Sequence, residues 1–257
     1  MKIASFNANG VRARLPVILK WLEQECPDVL CLQETKVQDH DFPVQPFVDA
    51  GYYCNFKGQK SYNGVAVVSK KEPRSVSTGF NEGDDSEGPR LIRVNIDGIE
   101  IVNTYVPQGQ DPDAEQFKYK LAWLGRLENY FKANFTKDTA LVWTGDFNVA
   151  PAPIDVYDPE KLLGNIGYHP AEHSALKKIE KWGFVDVYRR QNPDKKVFTF
   201  WDYRIPNAVK RGLGWRIDHI WATEFVAVKL KTAWIDKEPR LWQRPSDHTF
   251  IIAEFDL

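Results

Sequence analysis

The sequence predicts a single mixed α/β domain spanning residues 1–257, and three observations predict it. Short apolar runs rich in β-branched residues stop abruptly at polar residues. Segments with apolar residues at helical spacing stand between several of these runs. No Pro/Gly/Ser-rich linker, low-complexity tract or short-period repeat interrupts the chain. Because hairpins and strand–helix units alternate, the sheet should be mixed, and such apolar strands need helices or a second sheet over both faces.

Ile3-Ala4-Ser5-Phe6 reads as a first strand, followed by the polar loop Asn7-Ala8-Asn9-Gly10 and a helix with Leu15, Ile18, Leu19 and Leu22 on one face and Pro16 in its first turn. Val29-Leu30-Cys31-Leu32 is a second buried strand that runs out in Gln33-Glu34-Thr35-Lys36, and residues 64–69 form another. The acidic stretch carrying Glu82, Asp84, Asp85 and Glu87 reads as solvent-facing and is assigned no function. Residues 91–105 read as a hairpin about the tight-turn dipeptide Asp97-Gly98, its second strand ending in Tyr105. Phe117, Leu121, Leu124, Leu127 and Phe131 mark one face of a long helix. The apolar run Leu141-Val142-Trp143-Thr144 then delivers Gly145-Asp146-Phe147-Asn148. Residues two apart in an extended chain point the same way, so Asp146 and Asn148 face one pocket while Phe147 packs behind them. Ala175, Leu176, Ile179 and Trp182 predict a further helix, with strands at 217–222, near 226–234 and at 250–255.

A formal net charge of -1 excludes a chain that holds nucleic acid through overall basicity, so any polyanion site must be a local cluster. Nine tryptophans and fifteen phenylalanines serve a core and base stacking equally well. Cys26, Cys31 and Cys54 form no CxxC pair and are odd in number, so they read as reduced thiols rather than a zinc site or disulfide framework. Lys2 runs directly into a strand, which leaves no room for a signal peptide, and no apolar run reaches membrane-spanning length. A cytoplasmic monomer is expected.

The polar groups at strand ends are Asn7, Glu34, Tyr105, Asp146, Asn148, Asp218 and the pair Asp247-His248. Singly, each has a structural explanation: Gly-Asp-x-Asn fits an Asx turn, Tyr105 a packing residue, Asn7 a turn former, and Ser246-Asp247-His248 a turn with an ion pair. Together, with no Ser or Cys nucleophile among them, they suit metal-assisted attack of water on a phosphodiester. Mg2+ takes oxygen ligands and keeps several waters, so one or two carboxylates hold it, with Glu34 the leading candidate. Asp146 suits activation of the water, while Asn148, Tyr105, Asn7 and His248 suit stabilisation of charge on the non-bridging oxygens. Lys36 reads as a surface or supporting charge and not as a catalyst.

The motifs FNANGVRAR, LQETK around Glu34, YVPQG around Tyr105, GDFN, FTFWDYR, GLGWRID and PSDH, in that order from Lys2 to Phe255, resemble the exonuclease III class of abasic-site endonucleases within the deoxyribonuclease I-like endonuclease, exonuclease and phosphatase superfamily. The resemblance implies a four-layer α/β sandwich, with two mixed β-sheets packed face to face and flanked by helices. It implies a site for Mg2+, with Mn2+ as a substitute, and cleavage of duplex DNA on the 5′ side of an abasic site, accompanied by 3′–5′ exonuclease and 3′-phosphatase activity. By the same resemblance Glu34 is the metal ligand with Asn7 and Asp247 beside it, Asp146 prepares the water, Asn148 orients water or phosphate, and Tyr105 contacts the phosphate. His248, paired with Asp218, stabilises a phosphate oxygen. Where some members carry Asp in the opening N-x-D-G motif this chain has Asn9, which removes an acidic neighbour of the metal.

The superfamily also includes phosphoinositide phosphatases, and such a metal-dependent phosphoesterase is the alternative reading. Residues 195–216 favour DNA: Lys195, Lys196, Arg204, Lys210, Arg211 and Arg216 stand against one Asp and are interleaved with Phe198, Phe200, Trp201, Tyr203 and Trp215. Basic side chains contact the phosphate backbone while aromatic ones fill a gap in the base stack. The resemblance makes this the DNA-facing loop, Trp201, Arg204, Lys210 and Arg211 included, with Phe200, Trp215 and Ile217 walling a pocket for a base-less sugar. Inositol phosphatases follow their GDxN with Tyr-Arg, whereas Val149-Ala150 follows here.

Overall fold

Valine, isoleucine and leucine occupy successive positions in several strands, so both faces of those strands must be kept from water. A computed structural model, which describes residues 1–80 and 88–257, shows how. The strands are β1 Lys2–Asn7, β2 Val29–Gln33, β3 Tyr53–Lys57, β4 Val65–Ser69, β5 Ser75–Thr78, β6 Leu91–Ile96, β7 Ile99–Tyr105, β8 Leu141–Asp146, β9 Phe184–Asp186, β10 Asp218–Thr223, β11 Leu230–Asp236 and β12 Phe250–Phe255. The helices are α1 Val11–Glu25, α2 Val44–Asp49, α3 Glu115–Asn134, α4 Pro159–Leu162, α5 Pro170–Gly183, α6 Val187–Gln191, α7 Ala208–Arg211 and α8 Glu224–Ala227. One six-stranded sheet runs β11-β12-β1-β2-β4-β3 and the other β5-β6-β7-β8-β10-β9. Both are mixed: β1–β2 and β7–β8 are parallel, joined across α1 and α3, and the other pairings are antiparallel.

Alternation along each strand separates the layers. Ile3, Cys31, Val67, Ile101, Val142 and Ile220 meet between the sheets, whereas Ala4, Leu30 and Leu32 turn outward onto Ile18, Trp21 and Leu22 of α1. On the opposite outer face Val102, Leu141 and Trp143 pack on Trp123, Leu124 and Phe131 of α3 and Leu176 and Ile179 of α5. This is the four-layer sandwich expected. Burial of each aliphatic side chain of this size contributes about 1.5–3 kcal/mol, so the interleaved faces hold the two sheets in one relation. Buried amides sharpen that relation at the end where the polar residues lie. Gln33 Nε2 donates to Asn103 Oδ1 at 2.7 Å, and Asn103 Nδ2 donates to the carbonyls of Leu32 and Ala66, both at 2.9 Å, so β7 is pinned to β2 and β4 across the interface.

Several expectations are corrected. α1 begins at Val11, so Pro16 lies inside the helix and not in its first turn. The strand expected from residue 226 begins only at Leu230, because residues 224–227 form a helical turn that buries Val226 and Ala227. Along α3 the lysine Lys120 is fully buried while Leu121 is only half-buried. Glu82, Asp84, Asp85 and Glu87 lie outside the described residues. No helix among the described residues is long and apolar enough to cross a membrane.

Arg216, counted above with the DNA-facing cations, is instead part of a buried charge network. Its Nε and Nη2 hold Asp155 at 2.6 and 3.0 Å, its Nη1 holds Asp186 at 2.8 Å, and Arg189 reaches Asp155 at 2.6 Å. His219 Nε2 donates to the Val149 carbonyl at 2.9 Å, which leaves Nδ1 to accept from Arg216 Nη1 at 3.1 Å. Burial, then the Arg216 charge, lower His219 to about 4. The folded ring therefore stays neutral over a range in which an unfolded one takes up a proton, so its contribution is complete above pH ~6.5 and is lost as the pH falls toward 4. Chemical denaturation at pH 7 and pH 4 should show wild type losing about 3 kcal/mol more than His219→Gln; equal losses would contradict the neutral buried ring.

Candidate active site

Parallel pairing sets the C-terminal ends of β1 and β2 together, and those of β7 and β8 likewise, while the antiparallel β10 and β12 start at the same end. Asn7, Glu34, Tyr105, Asp146, Asp218 and His248 are thereby gathered from both sheets: Glu34, Tyr105, Asp146 and His248 line one cleft, and Asn7 and Asp218 are buried against them. Asn7 Nδ2 donates to Glu34 Oε1 and to Asp146 Oδ2, each at 2.8 Å. Its Oδ1 accepts the Asn9 N–H at 2.9 Å, so the carboxamide bridges the two carboxylates with its nitrogen side toward them.

The turn after β8 is shaped by close approach. Gly145 has φ +136, and a Cβ there would lie 2.0 Å from the Thr104 carbonyl oxygen on β7, so only glycine fits. Asp146 Oδ1 accepts the Asn148 N–H at 2.8 Å, which closes an Asx turn with Asn148 at φ 51. Phe147 is turned inward and stacks on Trp143 with ring centroids 3.8 Å apart. Asn148 Nδ2 donates to the Val106 carbonyl at 2.9 Å and lies 3.3 Å from Asp146 Oδ2.

His248 Nδ1 donates to Asp218 Oδ2 at 2.8 Å, and its Nε2 stands 3.9 Å from Asp146 Oδ2. Burial opposes the charged ring, but the Asp218 carboxylate outweighs it and raises His248 to about 10. Burial and then Asp218 raise Asp146 to about 7, with His248 opposing. Burial first, and then the charges of Glu34 and Asp146, push the Tyr105 phenol well above its usual range, so it stays a donor. Lys36 bridges Glu34 Oε2 at 2.7 Å and Asn9 Oδ1 at 2.5 Å, in the supporting role expected, and Asn9 Nδ2 in turn donates to Asp247 Oδ1 at 2.9 Å.

Ligand atoms of Glu34, Asp146 and His248 lie within 4.8 Å of one another. With His248 Nδ1 donating to Asp218 and the ring raised to about 10, its Nε2 also carries a proton near neutral pH, so the atoms left to a cation are carboxylate oxygens, the set a hard divalent cation takes. Burial is the first cause of the raised Asp146, and the charges of Asp218 and Glu34 add to it against His248, so a cation bound here would favour its ionised form. Asp247 lines the same cleft but is tied to Asn9 and not to Glu34.

The cleft, about 420 Å³, runs from these groups to an apolar wall of Phe200, Trp215 and Ile217, with Tyr157, Leu162 and Ile166 also lining it. Phe200 and Trp215 exchange backbone hydrogen bonds at 2.9 Å, and the Phe200 ring lies 4.8 Å from that of His248. Arg204 is exposed and clasps Asp202 at 2.6–3.0 Å, while Lys210 and Arg211 are exposed on α7. Trp201 departs from expectation: it is 2% exposed and packs with Phe198 and Ala208 beneath the loop, so it cannot face a ligand in this arrangement. Sequence reasoning missed Lys120 and its partner Glu172, which lie below the cleft; a lysine in register with Phe117 and Leu124 on an apolar helix face was the available signal.

Comparison with known proteins accords with this geometry. The Endonuclease/Exonuclease/phosphatase family pattern matches residues 4–248. Exodeoxyribonuclease III of Haemophilus influenzae is 31% identical over 267 aligned positions, 99% of this chain and 100% of the relative. An AP endonuclease structure from Archaeoglobus fulgidus matches with a TM-score of 0.96 and 46% identity, and the structure of a 3′ phosphatase from Neisseria bound to a product DNA hairpin with 0.94 and 36%; both matches cover 100% of each chain. The chain therefore belongs to the Endonuclease/Exonuclease/phosphatase family, as a hydrolytic DNA-repair nuclease of its exodeoxyribonuclease III and AP endonuclease branch.

Proposed function

We propose that this protein hydrolyses the phosphodiester on the 5′ side of an abasic site in duplex DNA with Mg2+, for which Mn2+ substitutes, and that it also trims and dephosphorylates 3′ ends. The observation that carries the reading is one cleft holding both the Asp146–His248 cluster and the apolar wall of Phe200, Trp215 and Ile217. A base-less sugar presents an apolar face and its own phosphate, and the cleft meets both. A phosphoinositide would need cations around its headgroup, but the wall beside the reacting groups is apolar.

In this reading Asp146, as a carboxylate, takes the proton of the attacking water, and Asn148 holds that carboxylate and orients water or phosphate. His248, fixed by Asp218, directs its Nε2–H toward the non-bridging oxygens, and the Tyr105 phenol supplies a second donor. Glu34, with Asn7 and Asp247 beside it, would hold the cation, which would supply positive charge at the scissile phosphate. Arg204, Lys210 and Arg211 contact the DNA backbone. The same reading makes residues 1–257 one domain that acts as a monomer in a reducing cytoplasm, in keeping with the free cysteines Cys26, Cys31 and Cys54.

A duplex bearing one abasic analogue should be nicked once, on its 5′ side, with Mg2+ and not with a chelator; an inositol phosphate turned over while that duplex stays intact would overturn the proposal. In the same assay Phe200→Ala or Trp215→Ala should narrow the rate ratio between abasic and intact duplexes, because a wider pocket admits a sugar that keeps its base. Lys210→Ala with Arg211→Ala should weaken binding to both duplexes alike and reduce the salt slope by about 1 per side chain. Aromatic variants with the wild-type ratio, beside a basic pair that changes it, would reverse these roles.

Activity should fall as the pH rises through about 10, where His248 loses its proton. Asp218→Asn should bring that fall down toward the ordinary imidazole range near 6.5. An alkaline limb unmoved in the variant would break the assigned pair.

A further inference from the structure

Lys120 stands on the core-facing side of α3 between Phe117 and Leu124, and its side chain is wholly buried. Its ammonium donates to the Asn148 carbonyl at 2.8 Å, to the Gln108 carbonyl at 3.2 Å and to Glu172 Oε1. All three of its protons are thus used. Glu172, equally buried on α5, also accepts the N–H of Gly167 at 3.2 Å and that of His169 at 3.0 Å. One ion pair therefore gathers the loop after β7, the loop after β8 and the loop before α5. Gln108, Asn148 and Gly167, one from each loop, all line the cleft.

A buried ion pair is a poor device for joining two helices, since well-packed apolar residues of similar volume serve as well or better. Lys120 does something apolar residues cannot do, because it holds the carbonyl that follows the left-handed Asn148. With that peptide plane fixed from below and the Asn148 N–H fixed on Asp146 from above, the residue has one orientation.

We infer that Lys120, neutralised by Glu172, is a positioning residue for hydrolysis, acting through the Asn148 turn to aim the Asn148 carboxamide into the cleft. The inference rests on the role proposed for Asn148. It concerns geometry at the reacting centre and not affinity for DNA, because Lys120 lies wholly below the surface that DNA can touch.

The test measures single-turnover cleavage and equilibrium binding of a duplex with one abasic analogue for Lys120→Met, for Lys120→Met with Glu172→Gln, for Asn148→Ala, and for Asn148→Ala combined with each. Both Lys120 variants should cleave roughly tenfold or more slowly while Kd stays within about twofold, since small misplacements act on the reacting geometry. In the Asn148→Ala background the same substitutions should slow cleavage no further, because both act through one turn. Wild-type rates in the Lys120 variants, or a full additional loss in the Asn148→Ala background, would overturn the inference. A wild-type rate for Asn148→Ala alone would remove the role of Asn148 itself, an outcome read separately from the other two. If Lys120→Met does not fold, the double variant, which leaves no uncompensated buried charge, carries the comparison, with thermal melting as the check on folding.

Discussion

The carboxamide of Asn7 sits between two carboxylates that belong to different sheets. Glu34 follows β2 and Asp146 ends β8, and Asn7 Nδ2 reaches both at 2.8 Å. Two carboxylate charges within 4.8 Å repel by about 3–4 kcal/mol at an effective dielectric of 20. A hydrogen bond to a charged acceptor returns about 1.5–3 kcal/mol, so the two bonds from Asn7 offset that repulsion and keep the oxygens converged. Lys36 and His248 complete the compensation from either side without closing the cleft. The protein thus holds the Glu34 and Asp146 oxygens converged and open to the cleft, an arrangement that a divalent cation would fit.

Much of the fold serves that convergence. The amides of Gln33 and Asn103 tie the two sheets together one residue before Glu34 and two before Tyr105, where any slip between layers would separate the carboxylates. Gly145 allows β8 to run against β7 so closely that Asp146 emerges beside Tyr105 in register. The Arg216–Asp155 network holds the strand that carries Asp218 and, through His219, the Val149 carbonyl next to Asn148. These buried polar groups contribute to the placement of the reacting groups as much as to stability.

The part of this that was legible in the sequence is the part that repeats or ends abruptly. Strands such as Val29–Gln33 and Leu141–Asp146 are apolar along their length and stop at a carboxylate, so both the layers and the polar ends could be read. Edge strands such as Ser75–Thr78 escaped notice because half their side chains meet water and no apolar pattern marks them. Trp201 and Arg216 were misread for one reason: their neighbours Phe200 and Trp215 do face the cleft, and in an irregular loop adjacent residues share no periodicity that separates inside from outside. Lys120 escaped because a lysine on a helix reads as solvated until a buried glutamate is found opposite it, and Glu172 lies 52 residues further along the chain.

We propose that Glu34, converged with Asp146 by Asn7, is the protein's hold on a divalent cation needed for phosphodiester hydrolysis. Substituting Glu34 by Gln keeps the shape and a hydrogen-bond acceptor but removes the charge, and an amide oxygen binds a hard cation more weakly than a carboxylate. The most direct measurement is the single-turnover rate of abasic-duplex cleavage by wild type and Glu34→Gln over a Mg2+ titration, with folding followed by circular dichroism. The variant should fold, lose most cleavage at limiting Mg2+ and recover part of it as Mg2+ is raised. A folded variant with the wild-type rate at limiting Mg2+ would contradict the proposal.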